Sequence, residues 1–155
     1  MSGSGQARPR ASTVVTIVIV TGPTYSLAAV VETPDLERFY SGVSVLVSTA
    51  ADGEQCLALA SFGGLATFLD EDLFRRAQQP DLTPSLSWAG RDTFARSLLE
   101  LRDTALEMEA LTIYACAASV ESMSITVGSL GDQLAGVMST PRFLRESGGA
   151  PLLFV

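Results

Sequence analysis

Histidine is absent from this chain of 155 residues, which removes the usual general base, the proton shuttle of neutral pH and the commonest metal ligand together. Triads of serine, histidine and aspartate are therefore excluded. Lysine is absent as well. All ten basic residues are arginines, set against seventeen carboxylates, giving a formal net charge of -7 and a pI near 4.4. A field of that sign repels phosphate backbones and anionic lipid surfaces. Only Arg75 and Arg76 adjoin, too small a footprint for nucleic acid, so neither nucleic acid nor a membrane is expected as a partner. Cysteine is scarce: Cys56 and Cys116 stand far apart, spelling neither a disulfide framework nor a Cys-x-x-Cys motif. A structural zinc site draws four ligands mainly from cysteine and histidine. No metal is expected, and no cofactor. Long hydrophobic runs are missing too, since the apolar stretch Val14 to Val20 is far shorter than the ~20 residues that span a bilayer. Neither the P-loop nor the dinucleotide fingerprint occurs, and a cytoplasmic location is expected.

What is present is a rich supply of core-forming side chains. Hydrophobic residues make up 47% of the chain and charged residues 17%, a balance that belongs to folded rather than disordered chains. The length suits one domain and needs no disulfide or metal staple. Residues 1–12, rich in Gly, Ser, Arg and Pro, read as a disordered tail, and 13–155 as a single domain.

Along that domain, strands alternate with helical patterns. The β-branched run Thr13 to Val20 reads as a first strand buried on both faces. Cys56 to Ala60, entered after Gly53 and left at Ser61-Phe62-Gly63-Gly64, predicts a central strand, and Leu111 to Ala115 predicts another that ends at Cys116. The segment Leu36 to Asp52 fits both periods, alternating at Val43, Val45 and Val47 yet also presenting one helical face. Helix is preferred, because Pro34-Asp35 is a start signal, Gly53 is a stop, and parallel strands need a crossover between them. A short helix is expected between Gly64 and Asp72, and a long surface connection over Glu71 to Gly90. The window Arg91 to Met108 has amphipathic helix spacing through Phe94, Leu98, Leu101, Ala105 and Met108. Then follow a helix over Ala117 to Ile125, a weak strand at Ala135 to Met138, a helix over Pro141 to Glu146 and a last strand at Leu152 to Val155. The expected fold class is α/β: a single three-layer α/β/α domain with a mostly parallel sheet of about five strands.

Cys116 falls at the carboxyl end of a predicted strand, where open α/β sheets bind their ligands. The helix that follows would turn its free N–H groups and positive dipole end toward the sulfur and favour thiolate. Packing as a small buried hydrophobe is the other reading, and spacing alone leaves the two balanced. Cys56, inside a central strand, reads as core. A pair between the two thiols requires neighbouring strands and a shared face. The Ser61-Phe62-Gly63-Gly64 turn offers either backbone N–H groups that cradle an anion or simply the tight bend that glycines permit. Ser119, early in the helix after Cys116, can cap that helix or hydrogen-bond a bound sulfur species. The acidic run Asp70-Glu71-Asp72 reads as a solvated face rather than a cation site.

Two segments carry a family resemblance. Ala51-Asp-Gly-Glu-Gln-Cys-Leu-Ala-Leu-Ala-Ser-Phe-Gly-Gly-Leu65, and Leu101 to Ile125 with Leu111-Thr-Ile-Tyr-Ala-Cys116 followed by Met123, resemble the DsrE/DsrF-like sulfur-relay group. Gly136 to Val155 is similar to that group's closing strand, helix and strand. The resemblance implies a small α/β protein that assembles as a homo-oligomer and passes sulfur as a persulfide on Cys116. Ser61, Gly63, Gly64 and Ser119 would lie around the sulfur, and a donor or acceptor protein would be the partner. It implies equally, as an alternative, a non-catalytic binding or assembly subunit of the same fold. The chain departs from the pattern at Gly63, where a bulky aromatic is common, at Ser124, where glycine is common, and in extra length over Val31 to Asp35.

Overall fold

The computed structural model describes residues 24–155. The tail 1–12 and the strand expected at Thr13 to Val20 lie outside the described residues. Among the described residues five strands form one sheet, all parallel, in the order β4-β3-β2-β1-β5. They are β1 (Leu27–Val31), β2 (Cys56–Ala60), β3 (Leu111–Cys116), β4 (Val137–Met138) and β5 (Leu152–Phe154). Helices α1 (Leu36–Ala51), α2 (Phe62–Phe68), α3 (Leu73–Ala77), α4 (Trp88–Glu107), α5 (Ala117–Ser122) and α6 (Thr140–Glu146) fill the crossovers. Parallel neighbours require such crossovers, and they place the chain in the expected three-layer α/β/α class.

The helix reading of residues 36–52 holds for a local reason. Asp35 stays extended and its carboxylate accepts the Arg38 amide at 2.8 Å, an N-cap that starts the helix. Gly53, at φ 87°, ends it. Once helical, Leu36, Phe39, Val43, Leu46 and Ala50 share one buried face, and Phe39 meets Phe68 edge-on at 4.9 Å. β1 is a strand that patterning does not single out. Its two alanines have little β-propensity, and Leu27-Ala-Ala-Val-Val carries a weaker β-branched signal than Thr13 to Val20.

Strand alternation divides the core in two. Ala29 and Val31, Cys56, Ala58 and Ala60, and Leu111, Ile113 and Ala115 face a large cluster built with α1, α2, α3 and α4. Ala28, Leu57, Leu59, Cys116 and Met138 face a smaller one closed by Phe143 of α6, which is fully buried. The layers are therefore unequal.

The connection over Glu71 to Gly90 runs mostly along the surface, and it carries local structure of its own: α3, whose Leu73 and Ala77 are fully buried, and a short 3-10 turn at Pro80–Leu82. Buried Thr83 pins it, its hydroxyl donating to the Gln79 carbonyl at 3.1 Å and accepting from Arg91 Nε at 3.2 Å. The amphipathic helix begins three residues early, at Trp88, because the Ser87 hydroxyl accepts the Gly90 amide and caps it there. The acidic run is absorbed by ion pairs of Asp70 with Arg76 and Asp72 with Arg75, in keeping with a charged face.

The departures over Val31 to Asp35 and at Gly63 meet in space. A side-chain carbon placed on Gly63 would lie 2.6 Å from the Pro34 nitrogen, so the β1–α1 link occupies the room a larger residue would need. Ser124, the other departure, adopts φ 54°, a left-handed conformation that glycine enters without penalty.

Candidate functional site

Register places the site. Ala60 pairs with Ala115, so the next residues, Ser61 and Cys116, leave the carboxyl ends of adjacent strands side by side, about 4.8 Å apart in strand spacing. Each then starts a helix as its N-cap: Ser61 for α2 and Cys116 for α5. Two helix starts thereby flank one thiol, and the first turn of α5, whose amides have no intrahelical acceptor, turns those of Ala118 and Ser119 to the sulfur.

Cys116 is 5% exposed. Burial pushes its thiol up, but hydrogen bonding from the Ser61 hydroxyl, the Ser119 amide and hydroxyl, and the Ala118 amide outweighs that and holds Cys116 below its ordinary value of 9.0. No charged side chain contributes to this shift. Donors aimed at the sulfur stabilise the thiolate by the third of the three general routes, hydrogen bonding to the charged form. Ser119 is fully buried, and its oxygen accepts the Phe62 amide at 3.0 Å. That single hydroxyl ties the start of α2 to the start of α5.

Cys56 is the contrast. It is fully buried on the opposite sheet face, in register with Leu111 at the amino end of its strand. Burial first, and then the charge of Glu54, raise its thiol. The two cysteines lie on opposite faces and roughly 16 Å apart along the strand direction, at 3.3 Å per residue, so a pair between them is excluded in this fold.

Ser61 and Ser119 thus join Cys116. Gly63 and Gly64 lie in the first turn of α2, where a side chain on either is blocked: a carbon on Gly64 would sit 2.1 Å from the Val31 carbonyl oxygen. Close approach of α2 to β1 is what these glycines permit, and neither is among the groups that hydrogen-bond the Cys116 sulfur.

Three participants are illegible in the sequence. Ala118 acts only through its amide. Met138 is the register partner of Cys116 across β3 and β4, a contact that no spacing announces. Phe62 adopts φ 38° while half exposed, an uncommon conformation for a bulky residue and one that concentrates at sites the surrounding structure holds in place. Among the described residues no group of three or more metal-ligating side chains gathers, and no helix is long and apolar enough to cross a membrane. No protein-family model matches the chain, and no curated protein matches it.

Proposed function

We propose that this protein is a cytoplasmic sulfur carrier or sulfurtransferase-like protein that holds sulfane sulfur as a persulfide on Cys116. The observation that carries the reading is the lowered thiol of Cys116, set at the carboxyl end of the sheet among four hydrogen-bond donors from Ser61, Ala118 and Ser119. The likeness of the Leu111 to Cys116 strand and its flanking helices to the sulfur-relay group supports it.

The step balances with nothing beyond a persulfide donor. The Cys116 thiolate attacks the outer sulfur of a donor R–S–SH, a new S–S bond forms to Cys116, the donor's S–S bond breaks, and R–S⁻ leaves. An acceptor thiolate reverses the sense. The Ser61 and Ser119 hydroxyls and the two amides steady the anion before and after transfer, as pre-aimed donors do for developing negative charge. A thiolate held without a neighbouring cation keeps more intrinsic nucleophilicity than one of much lower pKa.

A second reading, a non-catalytic binding or assembly subunit, is favoured by one observation: Cys116 is almost closed to solvent. Intact-protein mass spectrometry after exposure to a persulfide donor, followed by peptide mapping, separates the two. Sulfur on Cys116 that a reducing thiol removes, and that Cys116→Ser loses, supports the relay. Sulfur that never stays, or that survives in the Cys116→Ser protein, overturns it in favour of the binding subunit.

A further inference from the structure

At the start of α4 a cavity of about 590 Å³ opens between Gln78, the C-cap of α3, and Trp88, Ala89, Arg91 and Asp92. That volume suits a small-molecule site. Trp88 is the chain's single tryptophan and is 88% exposed. Three residues on, Arg91 shares its side of the helix and is half-buried. None of these residues is among the groups that hydrogen-bond Cys116.

The charges lining the cavity are unequally matched. The Asp92 carboxylate accepts the Gln78 side-chain amide at 3.1 Å through Oδ1 and pairs with Arg96 through Oδ2, so both of its oxygens are engaged. Arg91 has no carboxylate partner among the described residues. Its Nε–H donates at 3.2 Å to the hydroxyl of fully buried Thr83, which is itself anchored on the Gln79 carbonyl. This bond orients the guanidinium and uses one of its five N–H groups. The Nη1 and Nη2 edge has no protein partner among the described residues, and such an edge receives one carboxylate in bidentate fashion. The indole beside it is a flat apolar wall.

We propose that this cavity binds a small monocarboxylate that carries an aryl group, the carboxylate on the Nη edge of Arg91 and the ring against Trp88. The single unmatched cation sets the charge of the occupant. A monoanion is neutralised by Arg91 alone. A dianion such as phosphate keeps an excess negative charge beside Asp92, in a chain whose net charge is already -7, and is disfavoured. An aryl ligand without the carboxylate covers the guanidinium edge and leaves it unpaired, which costs binding.

Tryptophan fluorescence of the full-length protein tests this directly, since Trp88 is the only tryptophan. Hydrocinnamate is the probe, and its neutral amide, acetate and inorganic phosphate are the controls. The expected result is a saturable blue shift with hydrocinnamate, roughly tenfold or more tighter than with the amide, the worth of a charge-assisted pair. Arg91→Gln should erase the preference for acid over amide. Trp88→Leu, at a side chain almost wholly in solvent, should leave melting unchanged and weaken hydrocinnamate binding roughly threefold to tenfold in calorimetry. Should Arg91→Gln lower the melting temperature through Thr83, the Trp88→Leu comparison decides. No saturable response to hydrocinnamate, equal affinity for acid and amide, tighter binding of phosphate, or an affinity that Trp88→Leu leaves unaltered overturns the proposal. So does a peptide ending in a phenylalanine carboxylate that binds where hydrocinnamate does not.

Discussion

The Ser119 hydroxyl and the Phe62 amide, fifty-seven residues apart in sequence, meet at 3.0 Å and bring two helix starts to one sulfur. Ser119 is thus more than the cap it resembles in sequence. Its oxygen satisfies an orphan first-turn amide of α2 while its proton serves the Cys116 sulfur, so its loss is felt at both ends.

Cys116 alkylation at neutral pH is expected to outpace that of Cys56, whose thiol is raised by burial and by Glu54. Ser61→Ala and Ser119→Ala each remove a charge-assisted hydrogen bond, which contributes ~1.5–3 kcal/mol. The thiolate fraction falls accordingly, partly offset by a more nucleophilic sulfur. Alkylation should slow by roughly threefold to tenfold in each variant, as read by mass spectrometry at a series of pH values. Equal rates in the variants and the parent would remove these hydroxyls from the site.

The same shift sets a stability profile. Folded Cys116 titrates below its ordinary value of 9.0, so the fold favours the thiolate. The contribution is present above the unfolded-state value and is lost as pH falls through the folded one. Cys116→Ala should therefore lose more stability, relative to the parent, in mildly alkaline than in mildly acidic buffer. Denaturant melts at the two pH values check the sign.

Gly64→Ala is expected to destabilise the fold by about 3 kcal/mol, the upper part of the usual overpacking range. Its new carbon would meet backbone, the Val31 carbonyl at 2.1 Å, which cannot swing aside as a side-chain end can. That carbonyl also accepts the Ser61 amide at 2.8 Å. The variant should lose Cys116 reactivity along with melting temperature, and a protein that keeps both would show that α2 can shift freely.

Phe62→Gly tests the left-handed residue beside the site. A bulky side chain there costs ~1–2 kcal/mol that glycine avoids, while glycine loses ~1 kcal/mol elsewhere in a helix. The substitution should leave stability unchanged within about 1 kcal/mol, and a thermal melt checks this. A larger loss would mean that Phe62 packs in a way its exposure does not suggest.

Sequence alone determined the α/β alternation, the strands at Cys56–Ala60 and Leu111–Cys116, the helix between Asp35 and Gly53, and Cys116 as the thiol at a carboxyl strand end. These are local matters, set by period, caps and breakers within a dozen or so residues. Tertiary structure decided what depends on register and on neighbours. It put Cys56 and Cys116 on opposite faces, set Ser61 beside Cys116, and brought Pro34 against Gly63. It also gave the connection over 71–90 a short helix with Leu73 and Ala77 buried and a turn anchored by Thr83. A parallel pairing joins residues separated by a whole crossover, and its one-residue precision lies in the main chain.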